Sequence, residues 1–167
     1  MDRETLDLDI LIVGGGPAGM AAALRLAQLQ KASGGKPLAV AILEKAREAG
    51  AHMLSGAVLD PIALRELVPD FVERGAPLAA EVHDDRVYFL TSTRSIRFPL
   101  TPPPLRNHGN YVISLQRFVN WLFQLVEAEG IDFFAGFAAT ELLVEDGRVV
   151  GVRTGDRGID KDRKSVV

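Results

Sequence analysis

The chain has 167 residues, of which 47% are hydrophobic and 25% charged, as expected for a folded domain with its own core. Its net charge of −3 gives no indication of a nucleic-acid partner, and no apolar run approaches the roughly 20 residues needed to span a bilayer. The absence of cysteine excludes disulfides, thiolate metal sites and cysteine nucleophiles from this chain.

The N-terminal part of the chain predicts a parallel βαβ unit. Residues 9–13 form a short apolar segment of strand length, and residues 17–30 predict a helix rich in alanine and leucine. A polar, glycine-rich turn (KASGGKP) then leads to a second apolar strand at residues 38–43. Strands that are apolar throughout are typical of a buried parallel sheet with a right-handed crossover.

The middle of the chain, residues 46–110, mixes glycines, prolines and short apolar pieces. Residues 61–67 predict a short helix, and residues 87–90 and 95–98 predict an antiparallel pair. Three consecutive prolines at 102–104 predict a stiff, extended polyproline connector. A long excursion after the second strand is where we expect a substrate-side region.

Residues 114–129 give the clearest amphipathic pattern, with Leu115, Phe118, Val119, Leu122, Leu125 and Val126 at helical spacing. Gly130 is placed to end this helix as a left-handed cap, and residues 131–134 predict a third strand. The dipeptide Asp146-Gly147 between residues 139–144 and 148–153 is a hairpin signal. Because a doubly wound domain should return to its sheet with further strands, we expect this chain to be the N-terminal part of a longer protein.

A glycine fingerprint lies where the first strand meets the first helix. Gly14-x-Gly16-x-x-Gly19 has the spacing of a dinucleotide-binding loop: Gly14 permits a tight turn, Gly16 lets a pyrophosphate approach the backbone, and Gly19 lets the helix pack on the strand. Pro17 falls at the start of the helix, where its missing N–H costs nothing. The exposed N–H groups and the helix dipole then face the phosphates.

Glu44 ends the second strand, 25 positions after Gly19 (44 − 19). A carboxylate there can accept hydrogen bonds from both hydroxyls of the adenosine ribose, and it repels a 2′-phosphate, which disfavours NADP. The alternative is a solvated charge at a strand end. A P-loop is excluded because no Gly-Lys-Ser/Thr closes the loop. FAD and NAD both satisfy the fingerprint; the early loop and the long excursion that follows favour FAD.

Several stretches resemble a known family. "VGGGPAGMAAALRL", "EKAREAGAHMLSGAVLDPIALRELVPDF", "ERGAPL", "NHGNYVISL" and "AGFAATELL" are similar to the N-terminal third of the electron transfer flavoprotein–ubiquinone oxidoreductases, from about Asp9 to Lys161. The glycine loop is shared with many flavoproteins, whereas "GAHMLSGAVLDP" and "NHGNY" are much more specific.

The resemblance implies an enzyme that takes electrons from reduced electron transfer flavoprotein, passes them through FAD and a 4Fe–4S cluster, and reduces ubiquinone. It implies a peripheral protein on the cytoplasmic face of the bacterial inner membrane or the matrix face of the mitochondrial inner membrane. The cluster cysteines of the family are absent here, so no metal ligand is predicted in this chain. We expect the isolated chain to be inactive, and no catalytic residue is assigned.

The resemblance also implies cofactor contacts. Those at the nucleotide end are Gly14, Gly16, Pro17, Ala18, Gly19, Glu44 and Lys45, with the backbone of Ala138 near the adenine. Leu54, Ser55 and Gly56 are expected near the flavin. The family's membrane-facing segment falls at about residues 50–71, where Met53, Leu54, Val58, Leu59, Ile62, Leu64 and Leu67 are apolar. The alternative is that these residues cover the sheet.

The predicted fold is therefore α/β: an incomplete Rossmann-like FAD-binding domain of the glutathione-reductase-like type with an inserted mixed α+β segment. Residues 1–48 and 111–167 are assigned to the FAD-binding core, and residues 49–110 to a flavin- and quinone-side segment. One alternative is a flavoenzyme without a cluster, similar to geranylgeranyl reductases or aromatic hydroxylases. Another is a nucleotide-binding module without redox chemistry, or an incomplete fragment.

Overall fold

A computed structural model describes residues 5–54 and 56–155. The helices are α1 (Pro17–Ser33), α2 (Ile62–Leu67) and α3 (Leu115–Ala128), with a 3-10 turn at Pro103–Leu105. The strands are β1 (Ile10–Val13), β2 (Val40–Glu44), β3 (Ala57–Leu59), β4 (Leu78–Glu81), β5 (Tyr88–Leu90), β6 (Ser95–Arg97), β7 (Tyr111–Ile113), β8 (Asp132–Ala135), β9 (Ala139–Glu145) and β10 (Arg148–Thr154). The described residues fall into two compact units, 5–53 with 119–155 and 54–118. The functional division into an FAD-binding core (residues 1–48 and 111–167) and an inserted flavin- and quinone-side segment (residues 49–110) stays a prediction.

The first unit contains the predicted parallel sheet, in the order β1-β2-β8. Ile10 pairs with Val40 at the start of β1, and Leu43 pairs with Phe134 near the end of β2. The central strand β2 is buried from Val40 to Leu43, because it is covered on both faces as an apolar parallel strand requires. The Rossmann-like α/β fold predicted from the sequence is confirmed.

Helix α1 follows the glycine loop and packs one face inward. Its buried residues are Met20, Ala23, Leu24 and Ala27, the i, i+3, i+4, i+7 spacing of one helical face. The helix runs three residues past the predicted end at Gln30, because the true stop signal is Gly34, which adopts φ 62 as a left-handed cap.

Helix α3 confirms the amphipathic prediction. Its buried residues are Phe118, Val119, Trp121, Leu122, Leu125 and Val126. Gly130, with φ 75, follows the helix as predicted. The hairpin of β9 and β10 is also confirmed: Asp146 (φ 48) and Gly147 (φ 75) both adopt left-handed conformations, as a type I′ turn requires.

The second unit contains an antiparallel sheet in the order β3-β7-β4, which the sequence did not predict. Its strands have only three or four residues, too few for an alternating pattern to stand out. The predicted pair β5 and β6 is present. The expectation of a fully extended triple proline is wrong: Pro102 is extended (φ −56, ψ 144), but Pro103 begins the 3-10 turn.

Candidate dinucleotide-binding site

The carboxyl ends of β1, β2 and β8 lie at one edge of the parallel sheet, and the loops that follow them are tied together. The Gly14 N–H donates to the Leu43 carbonyl at 2.8 Å. The Phe137 N–H donates to the Glu44 carbonyl at 2.9 Å, and the Gly136 N–H donates to the Ala46 carbonyl at 2.6 Å. In open α/β sheets this edge is where ligands bind.

Two of the fingerprint glycines are required by the backbone itself. Gly14 turns out of β1 with φ 110, a conformation that strains any residue with a Cβ. A Cβ on Gly19 would lie 2.0 Å from the Gly14 carbonyl oxygen and 3.3 Å from Ile12 Cγ2. Gly19 therefore permits the close approach of α1 to the end of β1 that the sequence predicted.

The start of α1 presents unpaired donors at the same edge. Gly16 is the N-cap with Pro17 at the first helical position, and the first intrahelical bond runs from the Met20 N–H to the Gly16 carbonyl at 3.0 Å. The N–H groups of Gly16, Ala18 and Gly19 therefore have no intrahelical acceptor. Such donors, together with the positive end of the helix dipole, can bind an anion, and the dipole would contribute about 0.3–1 kcal/mol to that binding.

Glu44 lies at the end of β2, half-buried, and its carboxylate is held by two backbone donors. The Gly15 N–H donates to Oε2 at 2.7 Å, and the Ala46 N–H donates to Oε1 at 2.7 Å. Each carboxylate oxygen has a second lone pair, so the group can still accept hydrogen bonds from a ligand. The sequence placed Glu44 at this edge but did not predict that it binds the glycine loop.

Gly15 also contributes to this edge, although its sequence context did not predict a role for it. It is buried, and a Cβ there would lie 2.7 Å from Phe133 Cε2 and 3.2 Å from Glu44 Cβ. The sequence signal that could have identified it is the run of three glycines, in which Gly15 lies between two that the fingerprint already explains.

Lys45 and Ala138 flank this edge and are both exposed. The Ala138 carbonyl accepts a hydrogen bond from the Gly155 N–H at 3.0 Å and keeps a second lone pair. An adenine contact through the Ala138 backbone can therefore use its N–H as a donor or the remaining lone pair of its carbonyl as an acceptor. The roles of both residues stay predictions.

Leu54 and Gly56, two of the residues expected near the flavin, belong to the second unit. Leu54 is 87% exposed, and Gly56 adopts φ 86 immediately before β3. Ser55 lies outside the described residues. The Nδ1–H of His108, in the "NHGNY" stretch, donates a hydrogen bond to the His83 carbonyl at 2.9 Å. His52 is exposed.

The predicted membrane-facing segment, residues 50–71, divides between surface and core. Leu64, Val68 and Phe71 are buried, and Phe71 packs edge-on against Tyr111 at 6.3 Å between ring centroids. Leu54 and Ile62 are exposed. Part of this apolar set therefore forms the core of the second unit.

The β5–β6 hairpin and the residues after it also expose apolar side chains. This hairpin patch consists of Phe89 and Ile96, which pair across the two strands, and Phe98, all of them exposed. Leu90 and Leu100 are 70% and 77% exposed. In residues 5–54 and 56–155, no helix has the length and apolar character needed to cross a membrane. Across the same residues no cluster of three acidic or histidine side chains is placed to hold a metal ion.

The chain is similar in sequence to known proteins. The NAD(P)-binding Rossmann-like domain family matches residues 12–85. The chain is 50% identical over 161 residues to the mitochondrial electron transfer flavoprotein-ubiquinone oxidoreductase of Dictyostelium discoideum, covering 96% of this chain and 26% of that protein. It is 46% identical over 166 residues to the corresponding Pseudomonas aeruginosa protein, covering 97% and 30%. The chain thus spans about a quarter to a third of the length of these curated relatives.

Solved structures share the fold. A geranylgeranyl bacteriochlorophyll reductase-like protein from Thermoplasma acidophilum superimposes with a TM-score of 0.63 at 26% identity, covering 88% of this chain and 34% of that one. CtdE, crystallised in complex with FAD, gives a TM-score of 0.56 at 19% identity, covering 88% and 37%. The second likeness is one of fold alone.

Proposed function

We propose that this chain, which is homologous over nearly its whole length to the N-terminal quarter of electron transfer flavoprotein–ubiquinone oxidoreductases, binds the ADP half of FAD in an enzyme of that kind. The observation that carries the proposal is the carboxyl edge of the parallel sheet. There a helix N-terminus, a close-packed glycine loop and a strand-end carboxylate meet. The chain that carries them is 46–50% identical to the named relatives.

The residues at this edge match the chemistry of an adenine dinucleotide. The N–H groups of Gly16, Ala18 and Gly19 can donate to the pyrophosphate, and the free lone pairs of Glu44 can accept hydrogen bonds from the ribose hydroxyls. Lys45 adds a positive charge nearby, and the Ala138 N–H is available to the adenine. FAD, when bound, supplies the two-electron redox chemistry. The residues of this chain would orient it and stabilise the negative charge of its pyrophosphate.

This chain does not contain every group that the proposed electron transfer needs. By homology the protein takes electrons from electron transfer flavoprotein and delivers them to ubiquinone. The residues present do not fit a 4Fe–4S cluster, because the sequence has no cysteine. Ligands for such a cluster have to come from residues outside this chain, and no step through a cluster is assigned to it.

Peripheral membrane association is the second part of the proposal, and the hairpin patch supports it. An exposed apolar surface with cations beside it can bury side chains at the lipid boundary and attract anionic headgroups. Arg94 and Arg97 lie in the surrounding chain, and Arg86 is paired with Asp84 at 2.6 Å. We expect Ile96→Ser to reduce co-sedimentation with vesicles of mixed anionic and neutral lipid, because Ile96 is exposed beside Phe89 on the hairpin patch. Leu54→Ser, in the segment indicated by the family resemblance, is the matched control; a loss confined to Leu54→Ser would refute docking by the hairpin.

The first experiment is an absorbance spectrum of the protein purified from its complete reading frame. Flavin bands on a broad iron–sulfur background, with ubiquinone reduced at the expense of reduced electron transfer flavoprotein, are expected. A colourless folded protein would refute FAD binding and leave a nucleotide module without redox chemistry.

A flavoenzyme without a cluster is the second candidate, and the structural likeness to the geranylgeranyl bacteriochlorophyll reductase-like protein favours it. Its 26% identity is well below the 46–50% shared with the quinone oxidoreductases. Flavin bands without an iron–sulfur background, together with reduction by a nicotinamide donor, would select this candidate.

A further inference from the structure

The glycine loop contains one glycine more than the dinucleotide fingerprint needs. Gly14, Gly16 and Gly19 account for the turn, the pyrophosphate approach and the helix packing. Gly15 has no such role. Yet a Cβ on Gly15 would lie 2.7 Å and 2.9 Å from Phe133 Cε2 and Cζ, closer than carbon atoms pack. Something other than the ligand therefore requires glycine at this position.

Phe133 forms a surface against which the loop rests. It lies in β8, where it pairs with Ile42 of β2. Its ring also packs against Phe123 of α3, with centroids 4.9 Å apart and planes tilted by 59°. Strand register and ring packing both restrict the ring, so it cannot move freely away from Gly15.

The Glu44 carboxylate holds the same peptide by a hydrogen bond. Oε2 accepts from the Gly15 N–H at 2.7 Å, and Oε1 accepts from the Ala46 N–H at 2.7 Å, which fixes the carboxylate. These are charge-assisted bonds, stronger than bonds between neutral groups. Gly15 is therefore in contact with a ring on one strand and bound to a carboxylate on the next.

We propose that Phe133 and Glu44 are positioning residues that set the glycine loop in its nucleotide-binding conformation before the nucleotide arrives. The ring limits how far the loop can approach the sheet, and the carboxylate keeps it from moving away. This inference rests on the proposed FAD site. Its energetic consequence is preorganisation, since a loop already held in the bound conformation loses less entropy on binding.

The test is a rescue experiment on the protein from its complete reading frame. Gly15→Ala places a methyl group against the ring, and we expect FAD affinity, measured by flavin fluorescence, to fall about tenfold. Phe133→Leu removes the two clashing ring atoms, so the double variant should recover to within about threefold of Phe133→Leu alone. Phe134→Leu is the matched control, because Phe134 is the neighbouring phenylalanine on the opposite face of β8.

Failure of rescue by Phe133→Leu, or equal rescue by Phe134→Leu, would overturn the role of the ring. Amide hydrogen exchange without FAD tests the carboxylate independently. We expect Glu44→Gln to speed exchange at the Gly15 amide while melting temperature changes little, and an unchanged rate would overturn the role of Glu44. A parent protein that binds no FAD refutes the proposed function, whereas the exchange result still decides whether the loop is held.

Discussion

Replacing Gly19 by alanine tests the close approach of α1 to β1 most directly. The new Cβ would lie 2.0 Å from the Gly14 carbonyl oxygen. Non-bonded carbon–oxygen contacts in proteins begin at about 3.3 Å, so the two groups must separate by roughly 1.3 Å. The oxygen belongs to a backbone that is itself anchored, because the Gly14 N–H donates to the Leu43 carbonyl at 2.8 Å.

Two opposing effects set the size of the loss. Alanine is favoured over glycine in a helix by about 1 kcal/mol, which stabilises the variant. Overpacking of one methylene group costs about 1–3 kcal/mol where side chains can adjust, and a fixed carbonyl places this site at or beyond the upper end. We expect a net loss of about 2 kcal/mol in the free energy of unfolding, a fall of roughly 4–8 °C in melting temperature.

The assay is thermal unfolding by circular dichroism with and without added FAD, together with FAD titration by flavin fluorescence. Moving the first turn of α1 shifts the donors that face the pyrophosphate, so FAD affinity should fall at least about tenfold. Gly35→Ala is the control, because it adds the same methyl group with Ser33 Oγ 3.4 Å away as its nearest neighbour. A Gly19→Ala protein that melts and binds FAD as Gly35→Ala does would refute the packing argument.

Three further changes test other parts of the structure. Gly147→Ala forces a Cβ into φ 75 and should lower the unfolding free energy by about 1–2 kcal/mol in denaturant titrations; no loss would contradict the turn assignment. Asp85→Ala removes the acceptor for the Asn107 backbone N–H (2.8 Å) and side-chain amide (3.3 Å). Hydrogen exchange of the Asn107 backbone amide should therefore accelerate, and an unaltered rate would count against these hydrogen bonds. The hydrogen bond from Arg86 lowers the pKa of Asp84, so its small stabilisation is present above the ordinary carboxyl pKa and is lost as pH falls through the lowered value. Arg86→Ala should raise the pKa of Asp84 towards the ordinary value in an NMR titration, and a constant pKa would refute that cause.

Much of the first unit could be predicted because its signals are local. Apolar runs of strand length, the helical spacing of α1 and α3, and the dipeptide Asp146-Gly147 each act over a few neighbouring residues. The spacing of Gly14, Gly16 and Gly19 likewise encodes a turn and a helix start within six positions. The short strands β3, β4 and β7 of the second unit carry no comparable pattern, so the sequence did not predict the sheet that they form.

The sequence by itself determined which residues reach the carboxyl edge of the sheet: the glycine loop after β1 and Glu44 after β2. Only the tertiary structure decided which of these residues contact or hydrogen-bond one another. Gly15 meets Phe133 across 118 positions (133 − 15), and it binds Glu44 across 29. The physical reason is that such contacts depend on strand register and ring packing, which arise only when distant segments are brought together in the folded sheet.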